Sequence, residues 1–196
     1  MTPQGGEVND GHGGHDGADL GRPHAVAHSG LRISWTLAGA GWAVCTLEDH
    51  RAGIELVASR IGRTPEELLT AVARITAGAA EERVRFEAEP TVHQWVVRRE
   101  GEEARIRVLE LRDGRERGGD GRETEIWSGR AGVERLARAV IRCFDEAARA
   151  NGEDGYLDAW GEAFPRTELE ALRRLWRARN PQHAGDRRRV RRSPWR

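Results

Sequence analysis

The chain has 196 residues, and its 32 basic side chains are balanced by 32 acidic ones. That length supports one domain of ordinary size, and no apolar run reaches the roughly 18 residues that a membrane span needs. A domain occupying the middle of the chain is large enough to bury a core without metal or disulfide support.

Residues 1–30 are rich in Gly, His, Asp and Ala and offer no periodic apolar face, so they read as a disordered tail. They have neither a basic n-region nor an apolar h-region, so they are not a signal peptide, and a cytoplasmic location is expected. Leu31, Ile33, Trp35 and Leu37 alternate as one face of a strand. Gly39-Ala40-Gly41 turns the chain, and Trp42, Val44 and Thr46 open a second strand. After Arg51-Ala52-Gly53, a third strand carries Ile54, Leu56 and Ala58; turns this short imply antiparallel neighbours.

Thr64-Pro65-Glu66-Glu67 reads as a helix start, with Thr64 as cap and Glu67 closing a capping box. Leu68, Leu69, Val72 and Ile75 form its apolar stripe, and Gly78 suits its end. Val84, Phe86 and Ala88 alternate up to Glu89-Pro90, where proline marks an edge, a bulge or a break. His93, Trp95 and Val97 share a face of the next strand. In the strand from Arg105 to Arg112 the apolar face switches between Val108 and Leu109, as a bulge would explain. Residues 113–121 form a polar glycine-rich loop, and Thr124 and Ile126 a last strand.

Two main helices close the domain. Val133, Leu136, Ala137, Val140, Ile141 and Phe144 stripe the first, which ends near Asn151-Gly152. Leu169, Leu172, Leu175 and Trp176 stripe the second, behind a capping box of Thr167 and Glu170. Between them Tyr156, Trp160 and Phe164 recur every four residues, the spacing of a short helix laying rings on the core. Asn180-Pro181 stops the last helix, and residues 180–196 read as a disordered arginine tail. The expected fold is α+β: a single antiparallel sheet of six to seven strands with these helices on one face, over residues 31–179.

The segment FEAEPTVHQW from Phe86 to Trp95, and the pattern Gly155-Tyr156, Trp160, Phe164-Pro165, Leu169 and Leu172, resemble uncharacterised small α+β proteins of actinobacteria such as Streptomyces. The strand–helix layout is more loosely similar to immunity proteins of bacterial toxin systems. The resemblance covers roughly residues 31–176 and rests on core aromatics, so it implies a fold and no catalytic residue.

Candidate chemistry is sparse. His12, His15, His24 and His28, with Asp16 and Asp19, have metal-ligand side chains but nothing to order them, so no metal or other cofactor is expected. Glu89 and His93 form a candidate surface site, in which a carboxylate would orient an imidazole; no nucleophile accompanies them. Asp49-His50 reads as a solvated turn. Cys45 and Cys143 sit in apolar patterns, as reduced buried thiols do.

Arg187, Arg188, Arg189, Arg191 and Arg192 are candidate nucleic-acid contacts, with Arg173, Arg174, Arg177 and Arg179 preceding them and Trp195 able to stack on a base. Lysine is absent from the whole chain, which is the habit of a GC-rich genome and weakens arginine density as a signal. The expectation is a non-enzymatic protein-interaction module with an unknown protein partner. The alternative is weak, nonspecific binding of nucleic acid through the arginine tail. Any of the seven tryptophans that lies exposed would mark an interface.

Overall fold

A computed structural model describes residues 30–88, 91–111 and 123–184. The expected tails, Glu89, the glycine-rich loop and Arg187–Arg192 lie outside the described residues, except for a short helical turn past Asn180. The fold is α+β, and the described residues hold seven strands where six to seven are expected. They do not form one sheet. β1 (Arg32–Gly39), β2 (Trp42–Glu48) and β3 (Gly53–Ser59) make a three-stranded antiparallel sheet. β4 (Glu81–Ala88), β5 (Thr91–Glu100), β6 (Glu103–Leu111) and β7 (Glu123–Gly132) make a four-stranded one. The expected single sheet is corrected at one junction. Within each sheet successive strands pair in register, but β3 and β4 are separated by a helix, and no ladder joins them.

The helices are α1 (Thr64–Ala77), α2 (Val133–Trp160), α3 (Arg166–Arg179) and α4 (Pro181–Ala184). The first main helix and the short aromatic helix expected from sequence are the two arms of α2, broken at Gly152, where φ is +69°. Neither expected capping box forms. Thr64 is the first residue of α1, and its buried hydroxyl donates to the Arg85 carbonyl at 3.0 Å, tying the helix to β4. Glu170 pairs with Arg173, and Pro165 stands at the cap of α3. Gly78 does end α1, in the left-handed conformation, with its N–H directed at the carbonyls of Arg74 and Ile75.

The helices cover the inward faces of both sheets, and one core joins them. The row Trp35–Cys45–Leu56 runs across the smaller sheet and Val84–Trp95–Val108–Trp127 across the larger, all buried. Trp35 stacks on Phe144 at 5.9 Å and meets Trp160 edge-on at 5.5 Å, while Tyr156 meets Phe164 at 5.2 Å. The sheets are tied where Trp127 Nε1 donates to the Ala52 carbonyl at 3.3 Å.

The irregularity expected at Val108–Leu109 lies there, but the extra residue is Ile126 of β7. β6 itself keeps a continuous register with β5, so Leu109 points outward and is buried on the far face, with Val92 and Val96.

Candidate functional site

Of the candidate pair Glu89 and His93, Glu89 lies outside the described residues and only His93 is placed. His93 pairs across the sheet with Phe86 and Glu110, in the inward-facing register of Trp95. Burial pushes its pKa below the usual histidine value, and the Glu110 carboxylate offsets only part of that. Its Nδ1 is buried without a hydrogen-bond partner among the described residues. Asp49 builds a turn: its Oδ1 accepts from the N–H groups of Arg51 at 2.7 Å and Ala52 at 3.0 Å. Burial raises the Asp49 pKa, but these donors, with the charges of His50 and Arg51, outweigh it and hold it low.

Both thiols are free and buried. Burial pushes Cys45 up to about 12 and Cys143 well above the ordinary thiol value, so neither supplies a thiolate nucleophile. Burial likewise raises the Tyr156 phenol. Trp35 offsets part of that rise, though the contact falls short of a hydrogen bond by geometry. Among the described residues no group of three His, Cys, Asp or Glu side chains could hold a metal, and no helix is long and apolar enough to cross a membrane.

The surface offers more than the interior. On the outward face of the smaller sheet, register stacks the rows Arg32–Glu48–Gly53, Ser34–Thr46–Glu55, Thr36–Val44–Val57 and Trp42–Ser59. One end of this face is therefore charged and the other apolar. At the apolar end Trp42 is 40% exposed, Val57 41% and Ile61 69%. Trp42 and Val57 lie on the outward face, and Ile61 follows β3 at the same end.

At the charged end a groove of about 740 Å³ opens between β1 and α2. Its strand side carries Arg32 and Ser34, and its helix side Arg135, Arg138 and Arg142. Those helix positions, three and four residues apart, share one face. Glu48, Glu55 and Glu146 also line the groove, yet none of the four arginines makes an ion pair among the described residues.

A second groove, of about 520 Å³, lies between α1 and β4 and behaves differently. Its arginines are neutralised within the fold: Arg63 by Glu66, Arg74 by Glu82, Arg83 by Glu81 and Arg85 by Glu87. The outward face of the larger sheet carries a further cationic feature, a cross-strand row of Arg98, Arg105 and Arg130. Arg130 pairs with Glu100 at 2.7 Å, while Arg98 and Arg105 have no ion pair among the described residues.

Sequence reading missed the β1–α2 groove because its arginines come from elements about 100 residues apart. The i, i+3, i+7 spacing of Arg135, Arg138 and Arg142 was the signal available, opposite the apolar stripe of the same helix. No protein-family model matches the chain, and neither a curated protein nor a solved structure matches it.

Proposed function

We propose that the chain is a non-enzymatic cytoplasmic module acting by protein–protein contact, in the manner of an immunity protein, through the outward face of β1–β3. The observation that carries this reading is Trp42, a large ring left 40% exposed on the outward face that it shares with the exposed Val57. Aromatic side chains of this kind anchor interfaces because they bury much area at little entropic cost. The absence of catalysis is supported by the state of the reactive groups: burial holds the thiols protonated and depresses the His93 imidazole, which faces no partner nucleophile among the described residues.

The test is capture from the native host with the full chain, comparing wild type with Trp42→Ser and Val57→Ser. Loss of a hot-spot tryptophan costs about 2 kcal/mol or more, roughly a thirtyfold fall in affinity. The expected result is a defined partner released by both variants at unchanged Tm. A partner indifferent to Trp42, or turnover by the purified chain on a broad substrate panel, contradicts the reading.

A second reading is favoured by the Arg98–Arg105–Arg130 row, because like charges directly opposite one another destabilise a sheet unless something anionic meets them. In this reading the row, with Arg187–Arg192, follows a phosphate backbone. It requires affinity for duplex DNA or RNA that falls steeply with salt and falls again in Arg98→Ala/Arg105→Ala. A flat salt response removes it.

A further inference from the structure

We propose that the groove between β1 and α2 takes an extended acidic segment of a protein partner, which adds as a fourth strand to the free edge of β1. This rests on the protein-contact reading above and names the chemistry of the partner.

The backbone supplies the first reason. β1 pairs only with β2, so alternate N–H and C=O groups along Arg32–Gly39 point away from the sheet with no described strand to receive them. A row of alternating donors and acceptors is satisfied by another strand and not by a simple anion.

The position of α2 supplies the second. Trp35 holds Phe144 and Trp160 against the inward face of β1, and Gly41 N–H donates to the Ala159 carbonyl at 2.9 Å. The helix therefore flanks β1, and its polar face, with Arg135, Arg138 and Arg142, lines one groove with the outward-facing Arg32, Ser34, Thr46, Glu48 and Glu55. Arg138 and Arg142 are separated by a rise of about 6 Å along the helix. Alternate residues of a strand are about 6.8 Å apart, a difference that flexible guanidinium stems absorb. Carboxylates at every second position of an added strand thus fall on one side, that on which Arg32 and the helix arginines line the groove.

Charge supplies the third. The arginines of the α1–β4 groove are consumed by internal pairs, whereas Arg32, Arg135, Arg138 and Arg142 make no ion pair among the described residues although carboxylates line the same groove. Glu48 and Glu55 lie on β2 and β3, inside the edge. They repel an acidic chain from the sheet floor and leave it the β1–α2 track. Beyond that track the same face turns apolar at Val44, Val57 and Trp42, so the segment is acidic near Arg32 and its partner surface apolar near Trp42.

The probe is a fluorescein-labelled, acetylated heptapeptide of alternating Glu and Val, titrated against the full chain at physiological salt and followed by anisotropy. The expected result is saturable binding that slows amide exchange in Arg32–Leu37. Affinity falls at least about tenfold in Arg138→Glu/Arg142→Glu, and by a similar factor when Gln replaces Glu in the peptide. N-methylation of alternate peptide amides, which keeps the charge and removes the ladder, also costs at least about tenfold.

Four results overturn the inference: no saturable binding up to millimolar peptide, equal binding of the N-methylated peptide, tripolyphosphate displacing the peptide at equal or lower concentration, or protection confined to other strands. Circular dichroism and Tm of the double variant establish that it folds; Arg138→Gln/Arg142→Gln repeats the comparison without added negative charge. Trp42-dependent partner capture that persists in these variants leaves the protein-contact reading standing and removes only the strand-addition inference. Peptide binding without any Trp42-dependent partner does the reverse.

Discussion

Ala40 sits with φ +53° between two glycines that are also at positive φ, in the turn joining β1 to β2. A side chain carrying Cβ is strained in that conformation, and asparagine tolerates it better. Ala40→Asn is expected to stabilise the fold by about 0.5–1 kcal/mol, read as a rise in denaturant midpoint at constant m. Gly129 is the opposite case. A Cβ there would come within 2.5 Å of the Trp127 ring, which lies over the glycine. Gly129→Ala is expected to cost about 1–3 kcal/mol, and an unchanged midpoint would show that the ring moves aside freely.

The thiols make a third residue-scale prediction: Cys45 and Cys143 resist a thiol reagent in the native chain and both react in denaturant. Prompt native labelling would contradict their burial.

At this scale the sequence misled at β2. Trp42 and Val44 look like the core face because they are bulkier than Ala43 and Cys45. The core face is Ala43, Cys45 and Leu47, since Cys45 lies opposite Trp35 and that ring already fills the space. The exposure that makes Trp42 informative is the consequence, and no local pattern carries it.

Among the elements, strand alternation and helical stripes were legible because each is a property of a few consecutive side chains. Helix caps were less so: Thr64 has the right residue type for a cap, but a tertiary acceptor on β4 takes its hydroxyl. The end of α1 is held by arginines no local reading would assign. Arg99 donates to the Ile75 carbonyl at 3.1 Å and Arg179 to the Thr76 carbonyl at 3.2 Å, and Glu102 pairs with both. The hydrogen bond and charge of Arg179, with those of Arg99, hold the Glu102 carboxyl low; Arg107 and Ser128 do the same for Glu125.

A group whose folded pKa is depressed binds fewer protons folded than unfolded, so its contribution is complete above the unfolded value and is lost as pH falls. His93 enters this regime below its ordinary value of 6.5, and Glu102, Glu125 and Asp49 below 4.5 and 3.8. Tm is therefore expected to fall in two stages on acidification, with His93→Gln removing the first. A Tm that rises between pH 7 and pH 5, or a first stage that survives His93→Gln, would contradict the placement of that ring.

For the whole molecule, the sequence pointed to an α+β fold of six to seven antiparallel strands, yet not to their division into two sheets. A helix between β3 and β4 hides whether they pair, because sheet registry is set by tight turns and is lost across a crossover. Among the described residues, that division leaves β1 at the edge of its sheet and the outward face of β1–β3 as a separate surface, charged at one end and apolar at the other. This face is proposed as the place where the protein meets its partner. A photo-crosslinking residue placed at Val57 in the full chain, expressed in its native host, tests it most directly. Irradiation is predicted to yield a discrete adduct with another protein, while the same residue at Ile126, exposed on the larger sheet, yields none. An adduct at Ile126 and none at Val57 would contradict it.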